Sequence, residues 1–595
     1  MLSENQQGIH MEQLWFEMSD IRHKKLNKSV WIPLRAIQKQ SIGKNGYLGH
    51  KEDFFMCSSL AISSESKSAV GKIDLHSINN SNAGYFQDGK YTPADVYEEY
   101  SGEFTGIYLV LEQHINSAEL TEWHLHQDFV ASLRLKREND VWVSPTEGYI
   151  EVARLRKDQN GKPCLLEVRA EHLKDYLCAR NMELYMASYF SRDAVIEDAS
   201  FISWEKGSRS DDTENEHWEG RVSTIHEGGF PFGEKMAVFH VARTDLEETE
   251  DIPDISGLPT DKNTMSNSWE RSFEGKKLFT VIGELWRHEW IESAKISPRI
   301  KEDKTESTIF FIVDEQGKKE NGDTLKEEGR WLWFKPDVIM ALAHRRGGQI
   351  SWYTRDTGSV RCSPDYDVHF GINHLGLVNV YAKDLTQLPE WQQRIWAGFN
   401  ISPEGGVSAE LLASQVRAEP ADTQAPEEFL GHGIETINIL SRQKLGISLF
   451  REHELLPELL EKTHRFRAID DAGLFALAKD VARLTADNLD TEEIQRIAPP
   501  PKNTKWGSLK SLENLLASKI DNKKARLITG GLVGAYELRH ADAHLPGKEI
   551  QESFALLHIN RSLPTVIQGY QLIHSCVSSL YGIIDVLRKW DKLKK

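Results

Sequence analysis

Several features that mark particular classes of protein are missing from this chain of 595 residues. Its five cysteines are widely separated and form no C-x-x-C pair, which argues against a zinc knuckle and against a disulfide framework. The chain lacks any run of about 18 apolar residues, and its first residues lack the charged-then-apolar layout of a secretory signal. We therefore expect a cytoplasmic protein with no membrane partner. The phosphate-binding glycine motifs G-x-x-x-x-G-K-[ST] and G-x-G-x-x-G are also absent, which disfavours an NTPase or a dinucleotide enzyme.

Charge is distributed unevenly along the chain. The whole sequence carries 72 Lys and Arg against 90 Asp and Glu, a net charge of −18 that would argue against a nucleic-acid partner if it were spread evenly. Residues 501–595, however, hold 15 basic and 8 acidic residues, which leaves 57 basic and 82 acidic residues in 1–500. The local balances are therefore +7 and −25. An acidic body with a basic end is compatible with a C-terminal segment that faces nucleic acid.

The first 400 residues have the pattern of a β-rich protein, because short runs of β-branched and aromatic residues alternate with turn signals. Predicted strands include 106–111, 129–135, 149–155, 278–286, 308–313 and 376–382. Short helices are predicted over 171–189 and 336–344. The acidic stretches 208–216 and 245–254 are predicted to be loops, and we place a domain boundary after the second of these, at Ser268.

The pattern becomes helical beyond Pro389. Helices are predicted over 390–399 and over 409–416, where Ser408 can act as the N-cap. The remaining helices are predicted at roughly 430–450, 454–464, 471–487, 491–497, 506–519, 524–545, 549–558 and 564–590. The expected fold class is multi-domain α+β, with a β-rich domain (1–268), a second β-rich domain ending in short helices (269–416), a linker (417–429) and an all-α helical bundle (430–595).

The most informative segment is 536–547, YELRHADAHLPG, at the end of a predicted amphipathic helix. His540 and His544 are four residues apart and share a helix face, and Asp542 lies three residues after Arg539, close enough to hold its guanidinium. The proline two positions beyond His544 places that histidine in the last turn, where the helix dipole favours imidazolium. A cation, a proton carrier and a carboxylate are thus expected at one helix end.

These groups suit the cleavage of RNA without a metal. A ribose 2′-hydroxyl needs a base to remove its proton, the leaving 5′-oxygen needs an acid, and the phosphorane needs a cation. Histidine can carry out both proton transfers near neutral pH, and the arginine fork matches phosphate oxygens. DNA lacks the 2′-hydroxyl, so RNA is the substrate class that the chemistry implies.

The glycines that precede this segment also carry information. Each glycine inside a helix costs about 1 kcal/mol relative to alanine, so their presence predicts a close approach of another backbone. The glycines are Gly530, Gly531 and Gly534, and the predicted packing face holds Leu527, Gly531, Ala535 and Leu538. The last helix has a similar apolar stripe, favoured as a core face over a dimer interface, at Val566, Tyr570, Ile573, Val577, Leu580, Ile584 and Leu587.

The run Arg539 to His544 (RHADAH) resembles the R-x4–6-H motif of HEPN domains, in which a polar residue typically follows the arginine. The resemblance covers about 165 C-terminal residues and is closest to bacterial anti-phage and abortive-infection members. It implies an all-helical domain that forms a homodimer through its helices, so that two motifs face each other. It also implies metal-independent RNA cleavage, with tRNA as one possible substrate. No tyrosine follows His544 as in the antitoxin-paired group, so that group's nucleotidyltransferase partner is not expected.

On this basis we expect an endoribonuclease that acts in anti-phage defence, with no cofactor and no metal. Arg539 would stabilise phosphate charge, His544 would be the main acid or base, and His540 and Asp542 would assist. The N-terminal region would sense a phage-derived trigger or another activator. A competing hypothesis is a non-catalytic HEPN scaffold that only dimerises, with an N-terminal region that binds a ligand or a protein.

Two weaker signals lie in the N-terminal region. His124 and His126 alternate with apolar residues on a predicted strand and could form half of a metal site, although no third ligand can be placed. They support a third possibility, a metal-dependent enzyme. A second Arg-x4-His pair, Arg221 and His226, is predicted to lie in a strand and turn, which is the wrong context for a helical motif.

Overall fold

The computed structural model describes residues 12–78, 84–99, 102–115, 120–228, 235–243, 264–272, 275–304, 306–539 and 548–593. The chain divides into two compact units, Met1–Thr305 and Glu306–Lys595. The N-terminal part is β-rich and the C-terminal part is helical, as expected from the sequence. Across the described ranges, every helix is too short or too polar to cross a membrane.

The first unit is built mainly of antiparallel strands. They are β1 Trp31–Ile42, β2 Lys51–Ser63, β3 Tyr85–Gln87, β4 Lys90–Thr92, β5 Val96–Glu98, β6 Thr105–Ile107, β7 Val110–Ile115, β8 Leu120–Leu125, β9 Lys136–Glu138, β10 Val141–Ser144, β11 Ile150–Lys157, β12 Pro163–Arg169, β13 Met182–Ile196, β14 Ser208–Asp212, β15 Glu216–His226, β16 Lys235–Arg243, β17 Thr264–Ser272 and β18 Lys277–Ile291. The large sheet has the order β14-β15-β18-β13-β2-β1-β12-β11-β10-β9, and β6 joins β5 to β2.

The helices of this unit are short. They are α1 Gln13–Phe16, α2 Ser19–Arg22, α3 Leu75–Ile78, α4 Gln127–Ser132 and α5 Ala170–Arg180. Helices α4 and α5 cover one side of the sheet, where Phe129 packs edge-on against Tyr176 with ring centroids 5.0 Å apart. Both residues belong to a core that also takes side chains from β1, β8, β11 and β12.

A predicted strand and a predicted helix of this unit are wrong. The segment predicted as a strand over 129–135 begins inside α4, because Phe129 and Leu133, four residues apart, are buried on one helical face. The helix predicted over 171–189 ends at Arg180, because Asn181 adopts the left-handed conformation with φ of 54°. The chain then continues as the long strand β13.

The acidic stretch 208–216 is also not a loop, since it forms β14 and the start of β15 at the edge of the large sheet. Its polar sequence is typical of an edge strand, where charged side chains discourage further pairing. The proposed boundary at Ser268 falls within β17, and β18 beyond it pairs with β13 and β15 of the same sheet. The first unit therefore extends to Thr305. The acidic stretch 245–254 lies outside the described residues.

The second unit begins with a smaller sheet and its covering helices. Its strands are β19 Phe310–Ile312, β20 Lys319–Asn321, β21 Trp331–Phe334, β22 Gln349–Trp352, β23 Thr357–Arg361, β24 Val368–Ile372, β25 Val378–Tyr381 and β26 Asn400–Ile401. The main sheet has the order β22-β23-β24-β25-β21-β26. Its helices are α6 Gly322–Glu327, α7 Asp337–Ala343, α8 Ala382–Thr386, α9 Glu390–Phe399 and α10 Ala409–Val416. Helices α7, α9 and α10 confirm the predicted positions.

The rest of this unit is helical. It contains α11 Glu427–Leu445, α12 Leu456–Lys462, α13 Asp471–Leu484, α14 Thr491–Ile497, α15 Ser508–Ala517, α16 Asn522–Leu538, α17 Lys548–Leu556 and α18 Thr565–Arg588. In α18 the predicted apolar stripe faces the core, since Val566, Ile573, Leu580, Ile584 and Leu587 are buried and the other two members are half-buried. One continuous cluster of buried apolar side chains connects α11 with α13, α15, α16 and α18.

The small sheet and the helices share a core rather than forming separate bodies. Phe466, which precedes α13, stacks on Trp352 of β22 with ring centroids 5.7 Å apart and planes at 10°. Arg465 lies between Trp352 and Tyr570, 4.4 and 4.6 Å from the two ring centroids. Its guanidinium also makes two hydrogen bonds, of 2.7 and 2.8 Å, to the carboxylate of Glu427.

The predicted linker contacts the small sheet and α10, and its last residues belong to α11. Residues 417–426 are irregular in conformation, but Thr423 donates to Glu410 over 2.9 Å and accepts from the amide of Arg355 over 3.1 Å. Helix α11 starts inside the predicted linker, at Glu427, whose carboxylate is buried against Arg465. Burial raises the pKa of Glu427, but the charge and hydrogen bonds of Arg465 outweigh it and hold the pKa below the usual value.

Candidate active site

Helix α16 carries the first residue of the predicted motif. Its N-terminus is capped by Asp521, whose side chain accepts from the amides of Lys523 and Lys524 over 2.9 and 3.4 Å. The helix buries Leu532, Ala535 and Leu538, while Leu527 is 77% exposed, contrary to the predicted packing face. Leu527 instead borders a groove between α16, α17 and α18.

Two of the three glycines of α16 allow the close approach that the sequence predicts. A Cβ at Gly531 would lie 2.4 Å from the carbonyl oxygen of Ser575 on α18, and a Cβ at Gly534 would lie 2.8 Å from Leu557. The amide of Gly531 also lies 3.2 Å from the Ser579 hydroxyl oxygen that accepts from it. Gly530 faces nearly open space, with Leu556 3.9 Å away. Helix α16 is thus held against α17 and α18 by backbone contact.

Arg539 lies at the C-cap of this tightly held helix. Its amide donates to the carbonyl of Ala535 over 3.2 Å, which completes the last helical turn. Its guanidinium carbon lies 3.8 Å from the ring centroid of Tyr536, and its Nη1 donates to a carboxylate oxygen of Asp487. The side chain is 18% exposed. Because a helix C-terminus carries partial negative charge, this position also favours a cation.

Asp487 belongs to the turn between α13 and α14 and is itself held in place. Its amide donates to the carbonyl of Ala482 over 2.9 Å, and the preceding Thr485 donates its hydroxyl to Val481 over 2.7 Å. The next residue but one, Leu489, forms an isolated β-bridge with Phe450. Asp487 could not be predicted from the sequence, because a pairing across 52 residues leaves no local signal.

Of the four predicted site residues, Arg539 lies within the described part of the chain. His540, Asp542 and His544 lie outside the described residues, as does the proline that follows them. Helix α16 ends at Leu538, whereas the predicted helix extends to residue 545. The geometry therefore concerns Arg539 alone. The planar guanidinium fork of an arginine matches the oxygens of a phosphate group, and contacts with an aromatic face and a carboxylate fix its orientation.

The two histidines of the possible metal site each have a protein partner. The Nε2 of His124, on β8, lies 3.0 Å from Gln113 Oε1, and the Nε2 of His126 lies 3.0 Å from Asp95 Oδ2. His126 follows the end of β8 and precedes α4, so the two side chains do not share one strand. In the described part of the chain, no three His, Cys, Asp or Glu residues are grouped as a metal site requires. Arg221 and His226 lie in β15, as expected.

Comparison with known proteins identifies no relative of this chain. No family model, no curated protein and no solved structure matches the chain.

Proposed function

We propose that the chain is a metal-independent endoribonuclease of the HEPN type, acting in the cytoplasm in anti-phage defence by abortive infection. In this proposal the N-terminal region senses a phage-derived trigger or another activator and regulates the nuclease. The observation that carries the proposal is the placement of Arg539. It ends a helix that is packed by backbone contact into the core of a helical region, with a guanidinium positioned by Asp487 and Tyr536.

The proposed reaction needs three groups around one phosphate. One histidine removes the proton from the 2′-oxygen, which attacks the phosphorus, and a second protonated group transfers a proton to the leaving 5′-oxygen. The products are a 2′,3′-cyclic phosphate and a 5′-hydroxyl. Arg539 stabilises the extra negative charge of the phosphorane, and His544 is the main acid or base. His540 and Asp542 assist by orienting these groups.

A homodimer is part of the proposal, because one Arg-His set supplies too few groups for both proton transfers. The groove between α16, α17 and α18 has a volume of about 1000 Å³ and is bordered by the exposed Leu527 and by Leu556. Exposed leucines on the motif helix and on α17 support pairing through the C-terminal helices. The RNA partner would approach the basic segment 501–595, and tRNA is the first substrate to test.

The proposal is tested by incubating full-length protein with transfer RNA in EDTA, together with an extract of phage-infected cells as a source of the trigger. We expect His544→Ala to reduce the cleavage rate by roughly 10²- to 10⁴-fold, the usual contribution of a general acid or base. Arg539→Ala should reduce it by roughly 10²-fold or more, as loss of a charge-stabilising group does. Arg496→Ala is the matched control, because Arg496 also binds a carboxylate, that of Glu493, but lies on α14 with its side chain 65% exposed. Equal rates in all four proteins would contradict the proposal.

A second candidate function is the non-catalytic HEPN-like scaffold. The ion pair between Arg539 and Asp487 favours the scaffold function. An arginine with a purely structural role, which joins α16 to the preceding helices, would make the same contacts. This candidate predicts that Arg539→Ala lowers the stability of the folded protein but that no variant changes the rate of RNA cleavage. Measuring the free energy of unfolding beside the cleavage rate separates the two functions.

A further inference from the structure

One strand of the large sheet loses a neighbour halfway along its length. Strand β1 pairs with β2 up to its last residue, Ile42, but with β12 on its other side only as far as Ala36. In the described parts of the chain, no strand therefore pairs with the second side of residues 37–42. Exposure changes at the same point, since Ala36 is fully buried whereas Ile37 and Ile42 are 38% and 69% exposed. The second half of β1 is thus an open sheet edge.

This open edge borders a cleft of about 960 Å³, which we call the β1 cleft. Its lining includes all six consecutive residues 37–42, residues 157–160 of the β11–β12 hairpin, and Trp15. Side chains alternate between the two faces of a sheet, so a cavity on one face touches every second residue of a strand. That is the case for β2, which contributes Lys51 and Asp53. Contact with six residues in succession therefore places the edge of β1, and not only one face, in the cleft.

An open strand edge offers backbone hydrogen bonds. Alternate residues of an antiparallel strand direct both the amide and the carbonyl to the same side, so three of the six residues 37–42 direct these groups away from β2. Proteins usually protect such an edge with charged side chains, proline or a covering element. Here one residue in six, Lys39, is charged and none is proline, so the edge can accept another strand.

The charged side chains of the β1 cleft leave one cation without a counter-charge. Four of the five that line it contact another group of the protein: Lys39 contacts Glu52, Lys157 contacts Asp140, Asp53 contacts Arg192, and Asp158 accepts from the amides of Asn160 and Lys162. The fifth, Lys51, is half-buried, and its Nζ lies 4.1 Å from the ring centroid of Trp15. Within the described ranges Lys51 makes no ion pair. An acidic side chain that enters the cleft would find its counter-charge there.

The walls of the β1 cleft favour a single extended chain over a folded partner. Because β12 is the neighbour of β1 as far as Ala36, the hairpin that leads into β12 lies on the open side of residues 37–42. A second copy of the chain would bring its own β2 and hairpin to the same place, whereas one added strand needs only about 4.8 Å beside β1. Six residues in extended form span about 20 Å, which sets the length of the segment.

We propose that the β1 cleft binds an extended peptide segment of a partner protein, about six residues long and with one acidic side chain. The segment adds to β1 as a strand, with its backbone bonded to residues 37–42 and its carboxylate paired with Lys51. This inference does not depend on the proposed ribonuclease activity, because it rests on residues of the first unit and its test measures binding.

The first test selects peptides from a displayed library of random seven-residue sequences on the full-length wild-type protein. The affinity of the selected peptides is then measured by fluorescence anisotropy. We expect them to be rich in β-branched residues, to contain Asp or Glu, and to lack internal proline, which cannot donate to a neighbouring strand. Failure to select any peptide, or selection only of peptides without an acidic residue, would overturn the proposal.

Lys51→Glu tests the ion pair. We expect the selected acidic peptides to bind this variant roughly 5- to 10-fold more weakly, and binding to recover when the acidic residue of the peptide is exchanged for lysine. Lys44→Glu is the matched control, because Lys44 also lies over an aromatic ring, that of Tyr47 at 4.4 Å, but does not line the cleft. Equal affinity of the acidic peptides for the two variants would contradict the proposal.

Methylation of the peptide backbone tests strand addition without any change to the protein. Only alternate amides of an added strand face β1. We expect N-methylation of one alternate set to weaken binding roughly 10-fold or more, and N-methylation of the other set to leave it nearly unchanged. Equal effects of the two sets would exclude an added strand.

Light scattering of the protein without peptide tests for a second copy at the same edge. We expect Lys51→Glu to leave the number of chains per particle unchanged. A wild-type complex that Lys51→Glu dissociates would show that a second copy occupies the β1 cleft, and would overturn the proposal.

Discussion

Substitution of two adjacent glycines in α16 tests how closely this helix packs. In Gly531→Ala, the new Cβ would lie 2.4 Å from the carbonyl oxygen of Ser575, so α16 and α18 must separate by about 1 Å to restore ordinary contact at 3.4 Å. Overpacking against backbone costs about 3 kcal/mol at the upper end of its usual range. Alanine regains about 1 kcal/mol of helix propensity, so we expect the free energy of unfolding to fall by about 2 kcal/mol.

Gly530→Ala is the matched control, one residue away on the same helix. Its Cβ meets only Leu556 at 3.9 Å, an ordinary contact, so the gain in helix propensity is not opposed. We expect this variant to be more stable by up to about 1 kcal/mol. The measurement is chemical denaturation of the full-length variants, followed by far-ultraviolet circular dichroism. Equal stability of the two variants, or a larger loss for Gly530→Ala, would refute the backbone contact between α16 and α18.

Three further predictions concern the C-terminal unit. Glu427→Gln removes the nearer of two carboxylates beside the buried guanidinium of Arg465 and leaves only Asp356, at 3.7 Å, so denaturation should show a loss of up to about 3 kcal/mol; an unchanged midpoint would contradict the buried ion pair. Burial lowers the pKa of His464 to about 4, so the wild-type free energy of unfolding should fall by up to about 3 kcal/mol between pH 6.5 and 4 through this group. His464→Gln should show a shallower pH dependence over that interval, and an identical dependence would contradict a neutral buried histidine. Leu527→Asp should weaken dimer formation in light scattering, whereas Ile439→Asp, also exposed but outside the groove, should not; equal effects would exclude the groove as the interface.

The sign of the His464 prediction follows from which state binds the proton. The unfolded histidine titrates near pH 6.5 and the folded one near 4, so the unfolded state takes up more protons between these values. The stabilising contribution of the neutral histidine is complete above pH 6.5 and is lost as the pH falls through the folded pKa. Below about pH 4 both states are protonated and the difference between wild type and variant no longer changes.

Helices with a clear apolar spacing were predictable from the sequence, whereas segments whose spacing fits both a helix and a strand were not. Helices α14 and α18 have regular apolar spacing, and their predicted bounds differ from the observed ones by two residues or fewer. The run 129–135 satisfies the spacing of a helix as well as the alternation of a strand, and only its packing against Tyr176 decides between them. Edge strand β14 has no apolar face at all, so its sequence resembles a loop.

The candidate site was predictable only in its local part. The sequence located Arg539 at a helix end and predicted a close contact at Gly531 and Gly534, since both signals lie within one helix. Two other contacts join segments that are distant in the sequence: the ion pair of Arg539 with Asp487, and the core that the small sheet shares with the helices. Contacts of this kind cannot be predicted from the spacing of apolar residues. Ser408 was predicted as a helix cap from its residue type. Its position was confirmed, but its hydroxyl accepts no hydrogen bond from an amide of α10.

The central claim is that RNA is cleaved by its own 2′-hydroxyl without a metal. The most direct measurement is the chemical identity of the new 3′ ends formed from transfer RNA in EDTA, with and without an extract of phage-infected cells as a source of the trigger. The proposal predicts 2′,3′-cyclic phosphate ends with the wild-type protein and none above background with His544→Ala in the same extract. New ends that carry a 3′-hydroxyl, or cyclic phosphate ends formed equally by wild type and His544→Ala, would contradict it.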